Sequence, residues 1–173
     1  MKRFFFTLLL AMVAGLCSAQ FNTTLNVDGS GSSSATQVKI LSSAVNSTST
    51  TYAVVTDLTV DVINGESYII DGFLDIDASA GGIKVTLDGT ATASVVSLSS
   101  IFIGSIFSLA VASALGADVF NTAFARTDYR IIIDGIITAS ASGTMGIQFA
   151  QVDADGGTTT ISPGSYIKLT KVN

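Results

Sequence analysis

From Tyr52 onward the chain alternates apolar and polar residues with a period of two. Leu58, Val60 and Val62 are separated by Thr59 and Asp61, and Asn64-Gly65 follows as a tight turn of the kind hairpins favour. Tyr68, Ile70, Gly72, Leu74 and Ile76 then fall on one side of a strand, with Ile69, Asp71, Phe73, Asp75 and Asp77 on the other. Ile83, Val85 and Leu87 alternate with Lys84, Thr86 and Asp88. Ser, Thr and Gly are too frequent, and Leu, Glu and Lys too sparse, for long helices. The pattern predicts an all-β chain.

The strands also echo one another. Ile69-Ile70-Asp71-Gly72-Phe73-Leu74 matches Ile132-Ile133-Asp134-Gly135-Ile136-Ile137 at an offset of 63 residues. Ala78-Ser79-Ala80 matches Ala141-Ser142-Gly143, and Ile83-Lys84-Val85 corresponds to Met145-Gly146-Ile147. Each copy reads as a strand, a small-residue turn and a second strand. Two similar hairpins predict an antiparallel β-sandwich whose sheets contribute comparable elements. Gly72 and Gly135 fall mid-strand, where glycine marks a bulge or a close backbone approach.

The first residues follow a different rule. Met1-Lys2-Arg3 is basic, Phe4 to Leu16 is almost wholly apolar, and Cys17-Ser18-Ala19 is small. This is the layout of a secretory signal peptide cleaved after Ala19. Acylation of Cys17, as in a lipoprotein, is disfavoured by the bulk of Leu16, and an uncleaved anchor is the third reading. The expected organisation is a signal peptide at 1–19, a Ser/Thr/Gly-rich segment at 20–50 and the sandwich at 51–173. Within the middle segment, Asp28 to Ser34 reads as a flexible loop and Thr36 to Leu41 as a candidate first strand. Two sequons, at Asn22 and Asn46, matter only in a host that glycosylates asparagine.

Composition then narrows the chemistry. The 173 residues include no His and one Cys, and charged residues make up only 12%, against roughly 25% in an ordinary soluble protein. The commonest general base and transition-metal ligand is absent, and a lone Cys excludes an internal disulfide and a multi-Cys zinc site. With Lys2 and Arg3 removed, six basic residues face 13 acidic ones, so nucleic acid is excluded as a partner. No charge occurs between Asp88 and Asp118. Within that gap, Ile101 to Leu115 admits a membrane segment, with Gly104, Ser108 and Ala112 at four-residue spacing. Ser97, Ser99, Ser100, Ser105, Ser108 and Ser113 favour buried strands or a subunit contact instead, so no membrane partner is expected after signal removal.

Two acidic groups deserve weighing as sites. Asp71, Asp75 and Asp77 share one face of a strand, as paired carboxylates do in glycoside hydrolysis. Alternating acids without a local Glu, His or Tyr read as a solvated face. Asp153-Ala154-Asp155-Gly156-Gly157 resembles part of a calcium loop but lacks the closing acidic residue, and reads as an acidic turn. No nucleophile elbow, phosphate loop or dinucleotide fingerprint is present. No catalytic, cofactor-binding or metal-binding residue is assigned, no cofactor is expected, and the chain reads as a non-enzyme.

The C-terminal third carries a resemblance. Gly143-Thr144-Met145-Gly146-Ile147-Gln148-Phe149-Ala150-Gln151, then Thr158 to Ile161, then Gly164-Ser165-Tyr166-Ile167-Lys168-Leu169 resemble the closing strands of small β-sandwich domains in virion structural proteins of tailed bacteriophages. Thr51-Tyr52, Gly65-Glu66-Ser67-Tyr68 and Gly89-Thr90-Ala91-Thr92-Ala93 resemble their earlier landmarks, and the likeness runs from Ser49 to Val172. It implies a jelly roll of the tumour-necrosis-factor-like or complement-globular-head type, trimeric, on a virion surface or tail, with no catalytic residues to carry over. The signal peptide and the apolar Ile101–Leu115 segment depart from that family. They keep open an exported cellular carbohydrate-binding or extracellular-matrix-type sandwich as the alternative.

With so few charges to cover the outside, the sandwich is expected to bury apolar faces in a homo-oligomer. The loops Ala78 to Gly82 and Asp153 to Gly157 are left for a host-surface or glycan ligand, and the location expected is extracellular or virion surface.

Overall fold

The structure, a computed structural model, describes residues 35–79, 81–103, 108–154 and 157–172, and within these the side chains of all but 95 and 101–110. The strands are β1 (Thr36–Ile40), β2 (Val45–Ser47), β3 (Ala53–Val62), β4 (Ser67–Ala78), β5 (Ile83–Gly89) and β6 (Thr92–Ile103). They continue with β7 (Ser108–Ala112), β8 (Asp118–Thr122), β9 (Arg126–Ala141), β10 (Gly143–Ala150), β11 (Thr159–Ile161) and β12 (Tyr166–Val172). The expected all-β class holds, and every strand pairing is antiparallel.

An eight-stranded sheet runs β1-β12-β4-β9-β6-β7, with β11 joining β2 to β4, and a four-stranded sheet runs β3-β10-β5-β8. The chain crosses between sheets at β2–β3, β3–β4, β4–β5, β5–β6, β7–β8, β8–β9 and β9–β10, and returns from β10 to β11 and β12 in the larger sheet. This alternation is jelly-roll-like, a closed pair of Greek keys. The β6–β7 hairpin is an insertion between the neighbours β5 and β8, laid on the β9 edge of the larger sheet.

The period-two pattern builds the core. On β4 the residues Tyr68, Ile70, Leu74 and Ile76 are buried, as their alternation requires. Ile131, Ile133 and Ile137 extend that layer on β9, and Leu58, Val60, Val85, Leu87, Ile147 and Phe149 close it from the smaller sheet. Each such side chain contributes about 1.5–3 kcal/mol when taken out of water.

The echoing units are not hairpins, which corrects the expectation. Each crosses from one sheet to the other, so both of its strands turn an apolar face to the common core. The echoes instead lie side by side. In the β4–β9 pairing Asp71 stands opposite Asp134, Ile70 opposite Gly135 and Gly72 opposite Ile133. In the β5–β10 pairing Thr86 stands opposite Gln148, with Val85 opposite Phe149 and Leu87 opposite Ile147. Equivalent residues face each other at the centre of each pairing and are exchanged on either side of it, so a local two-fold is centred on Asp71/Asp134 in one sheet and Thr86/Gln148 in the other.

Asn64-Gly65 does form the expected tight turn. Glu66 N donates to Ile63 O at 3.2 Å, with Gly65 at φ 82°. It links β3 to β4 across the two sheets rather than within a hairpin. The strand expected at Thr36–Leu41 is β1, and with β2 it joins the sandwich, which thus takes in part of the segment preceding Thr51. Asn46 is exposed on β2, where its Oδ1 accepts from Thr160 Oγ1 at 2.8 Å. The signal peptide, the 28–34 loop and Asn22 lie outside the described residues.

Of the uncharged segment, 101–103 and 108–112 are strand and 113–117 are bend and turn. Ile101 pairs with Leu109 across the β6–β7 hairpin, whose residues 104–107 lie outside the described set. Among the described residues, no helix is long and apolar enough to cross a membrane. Leu98, Ser100 and Ala112 are buried, and the Ser100 hydroxyl donates to Val119 O, tying β6 of the larger sheet to the edge strand β8 of the smaller.

Candidate functional site

Alternation that buries one side of a strand must display the other. On the larger sheet the displayed side is ordered in rows. One row, read across β12, β4, β9 and β6, is Thr170, Ile69, Ile136 and Ser97. The next is Lys168, Asp71, Asp134 and Ser99, flanked by Val38 of β1 and Val111 of β7. The third is Tyr166, Phe73 and Ile132, flanked by Ile40. A charged row thus lies between a row with the Ile69–Ile136 pair at its centre and hydroxyl residues at its ends, and a largely apolar third row.

The apolar content is concentrated there. Of eight exposed large hydrophobic residues among the described ones, five belong to this face: Ile40, Ile69, Val111, Ile136 and Val172. Ile69 and Ile136, directly opposite each other, are 51% and 39% exposed. Phe73 and Tyr166 stack on the far side of the charged row, with centroids 6.3 Å apart. Exposed apolar residues are thus more frequent on this face than elsewhere among the described residues, and an exposed apolar surface is a candidate for interaction.

The three aspartates of β4 share this face as expected, but the fold groups them with other partners. Asp71 is opposite Asp134, Asp75 is opposite Arg130, and Asp77 is opposite Thr160 of β11. Lys168 Nζ lies 3.7 Å from Asp71 Oδ2, and Tyr166 Oη donates to Asp71 Oδ1 at 3.3 Å. Burial pushes the Tyr166 phenol up, and the charges of Asp71 and Asp134 push it further in the same direction. Reasoning on one strand at a time missed Asp134, Lys168 and Tyr166. The signal for Asp134 was present in the echo, which aligns it with Asp71.

The two loops singled out as ligand-facing do meet. Val152 N and Asp153 N both donate to Gly81 O, at 2.9 and 3.0 Å, and Ser79 N donates to Thr158 O at 3.1 Å. Beneath them Gln151, the last residue of the Phe149-Ala150-Gln151 triplet, is fully buried. Its backbone N donates to Ser49 O at 2.9 Å and its Nε2 to Gly157 O at 2.8 Å. The triplet therefore ends in a brace between loops. Asp155 and Gly156 lie outside the described residues, among which no three acidic or sulfur ligands gather.

The outer face of the smaller sheet is mostly polar by contrast: Thr59, Asp61, Thr144, Gln148 and Lys84 line it, with Val54 exposed opposite Gln148. Tyr52 reaches across it: its hydroxyl donates to Asp118, Asn121 Nδ2 donates to Asp118 Oδ2 at 2.7 Å, and Lys84 Nζ sits 4.9 Å from the Tyr52 ring centroid. Burial first, then the Asp118 hydrogen bond and charge, hold the Tyr52 phenol far above its usual range.

No protein-family profile matches the chain, and no curated protein does. Among solved structures it is similar to Eiger TNF from S. frugiperda, at 11% identity, with 79% of this chain and 92% of that one covered and a TM-score of 0.41. It is also similar to the infectious bursal disease virus Gt strain structure, at 10% identity, 79% and 40% coverage and a TM-score of 0.23. The VP2 subviral particle of that virus gives 13% identity, 80% and 40% coverage and a TM-score of 0.22. The chain thus spans about two fifths of the virus chains. The assignment of the sandwich rests on the strand order itself.

Proposed function

We propose that this chain is a non-enzymatic structural β-sandwich that self-assembles through the outer face of its larger sheet, on the outside of a cell or virion. The observation that carries the reading is the exposed Ile69–Ile136 pair and, beyond the charged row, the Phe73, Tyr166 and Ile132 row, set against a smaller sheet whose outer face is mostly polar. A second copy is the natural cover for such a face, since symmetric homo-oligomers are the commonest assemblies. The phage-virion and trimeric readings of the sequence belong to this proposal, as does a host-surface or glycan ligand at the joined 78–82 and 153–157 loops.

Sedimentation of the chain across the micromolar range tests it. The expected result is reversible association that Ile69→Asp or Ile136→Asp abolishes, while Val54→Asp on the other sheet leaves it intact. A wild-type chain that stays monomeric throughout that range overturns the proposal.

A further inference from the structure

On the outer face of the smaller sheet, four polar side chains from three places in the sequence are tied together. Tyr52 stands just before β3, at the opposite edge of the sheet from β8, yet its hydroxyl donates to Asp118 Oδ1 on β8. Asn121 Nδ2 holds the other carboxylate oxygen at 2.7 Å. Lys84, directly opposite Asn121, sets its ammonium 4.9 Å from the Tyr52 ring centroid. Ala150 of β10 pairs with Lys84 and is fully buried, and its small side chain leaves the Tyr52 ring room to cross. Asp118 and Asn121 are exposed, and hydrogen bonds between exposed groups add little to stability because water competes for them. Their effect is to hold a carboxylate and an amide in one orientation.

The group keeps unused capacity of both kinds. Each oxygen of the Asp118 carboxylate has a second lone pair to offer. Among the described residues, neither Asn121 Oδ1 nor the Lys84 ammonium has a hydrogen bond. Acceptors and a strong donor therefore stand side by side, and the charges of Lys84 and Asp118 cancel. An apolar ring stands at the rim. Phe124, three residues beyond Asn121, is 72% exposed, the largest value among the exposed large hydrophobics. Its backbone is fixed on both sides: its N donates to Thr122 Oγ1 at 3.4 Å, and its O accepts from Tyr129 Oη at 2.6 Å. Polar groups and an apolar ring held in place before a ligand arrives lower the ordering cost of binding.

We propose that Tyr52, Lys84, Asp118 and Asn121, with Phe124 at the rim, bind a neutral saccharide. A sugar hydroxyl both donates and accepts, so one hydroxyl of a vicinal pair gives its proton to the Asp118 carboxylate while its neighbour accepts from Lys84. The C–H face of a pyranose is the complement of an exposed aromatic ring. The cancelled charge of the group gives an acidic sugar no net attraction. This is a different set of residues from the joined 78–82 and 153–157 loops, and it does not depend on self-assembly.

The experiment is affinity electrophoresis of the full chain in native gels cast with a glucan, a mannan or a galactan. Wild type is expected to be retarded by at least one of them. Asp118→Ala should weaken that retardation about tenfold or more, the loss of a hydrogen bond to a charged group. Asn121→Ala and Phe124→Ala should weaken it less, and Tyr52→Phe, which frees the carboxylate to turn, less again. Urea unfolding of each variant shows that it remains folded. Asp61→Asn on the same sheet, Asp153→Asn in the loops and Ile69→Asp on the larger sheet keep the wild-type retardation. A wild-type chain that none of the three polymers retards overturns the proposal and leaves self-assembly standing. Retardation that survives Asp118→Ala and Asn121→Ala but is lost in Asp153→Asn overturns it too, and places the ligand at the loops.

Discussion

The two echoing units share a short run of equivalent residues and have different neighbours. Asp71 and Asp134 are equivalent by sequence and directly opposite in space, yet Asp71 has Lys168 and Tyr166 beside it and Asp134 has Ser99. The cause is what flanks each strand: β12 lies along β4, while the uncharged β6 lies along β9. The same asymmetry reaches the glycines. A Cβ on Gly72 would meet Tyr166 O at 3.4 Å and Ile133 Cβ at 3.5 Å, ordinary contact, whereas one on Gly135 would come within 2.4 Å of Ser97 O. Repeated residues therefore make a symmetric core, and the elements added at its edges make the exposed face asymmetric.

Substitutions can break that comparison at several depths. The largest effect is expected where the halves are alike. Leu74 and Ile137 are equivalent and essentially fully buried, so Leu74→Ala and Ile137→Ala should each lower stability by about 2–5 kcal/mol, measured by urea unfolding. A large difference between them would show that the core is not symmetric. Next come the glycines. Gly135→Ala forces backbone apart and should lose about 1–3 kcal/mol. Gly72→Ala should range from neutral to about 1 kcal/mol stabilising, through restriction of the unfolded chain. Equal losses at both positions would remove the role assigned to β6.

A smaller effect is expected from the phenols. Tyr129 is buried and its hydroxyl donates to Phe124 O at 2.6 Å, so Tyr129→Phe should lose about 1 kcal/mol. Burial raises Tyr129, Tyr166 and Tyr52 above their ordinary value. Unfolded tyrosine releases its proton near pH 10, so the folded state keeps its full advantage below that point and loses it as pH rises further. Ultraviolet titration should show these three ionising late, and Tyr52→Phe should remove the latest of them.

The alternation of β4 was legible because the strand fully buries one side only; on β5 the outward Thr86 is buried as well, its hydroxyl donating to Ala117 O. The side that faces the core could be read from Ile70, Leu74 and Ile76 without knowing the partner. The jelly-roll connectivity was less legible from the alternation itself. A strand–turn–strand unit looks the same whether it folds back in one sheet or crosses to another, and only the packing of both apolar faces on a common core decides. The site was half legible for the same reason. Asp71 could be placed on an outward face, but its companions Asp134 and Lys168 lie 63 and 97 residues away in sequence. The echo pointed to the first of them. Nothing local points to the second, because register between β4 and β12 is set by long-range pairing.

The smallest effect is the most direct probe of the asymmetry. Lys168 and Asp71 are both partly exposed, at 42% and 39%, with 3.7 Å between Nζ and Oδ2. Such a pair is worth about 0–1 kcal/mol to the isolated chain. A double-mutant cycle on Lys168→Ala and Asp71→Ala, made in the Ile69→Asp background to keep the chain monomeric, should therefore return a small coupling. Lys168 with Asp134→Ala should return less, because Asp134 lies one strand further from the ammonium. If the second coupling matched the first, Lys168 would serve both carboxylates equally. The two halves would then differ in sequence context but not in charge, and the edge strands would have to be credited with the glycine difference alone.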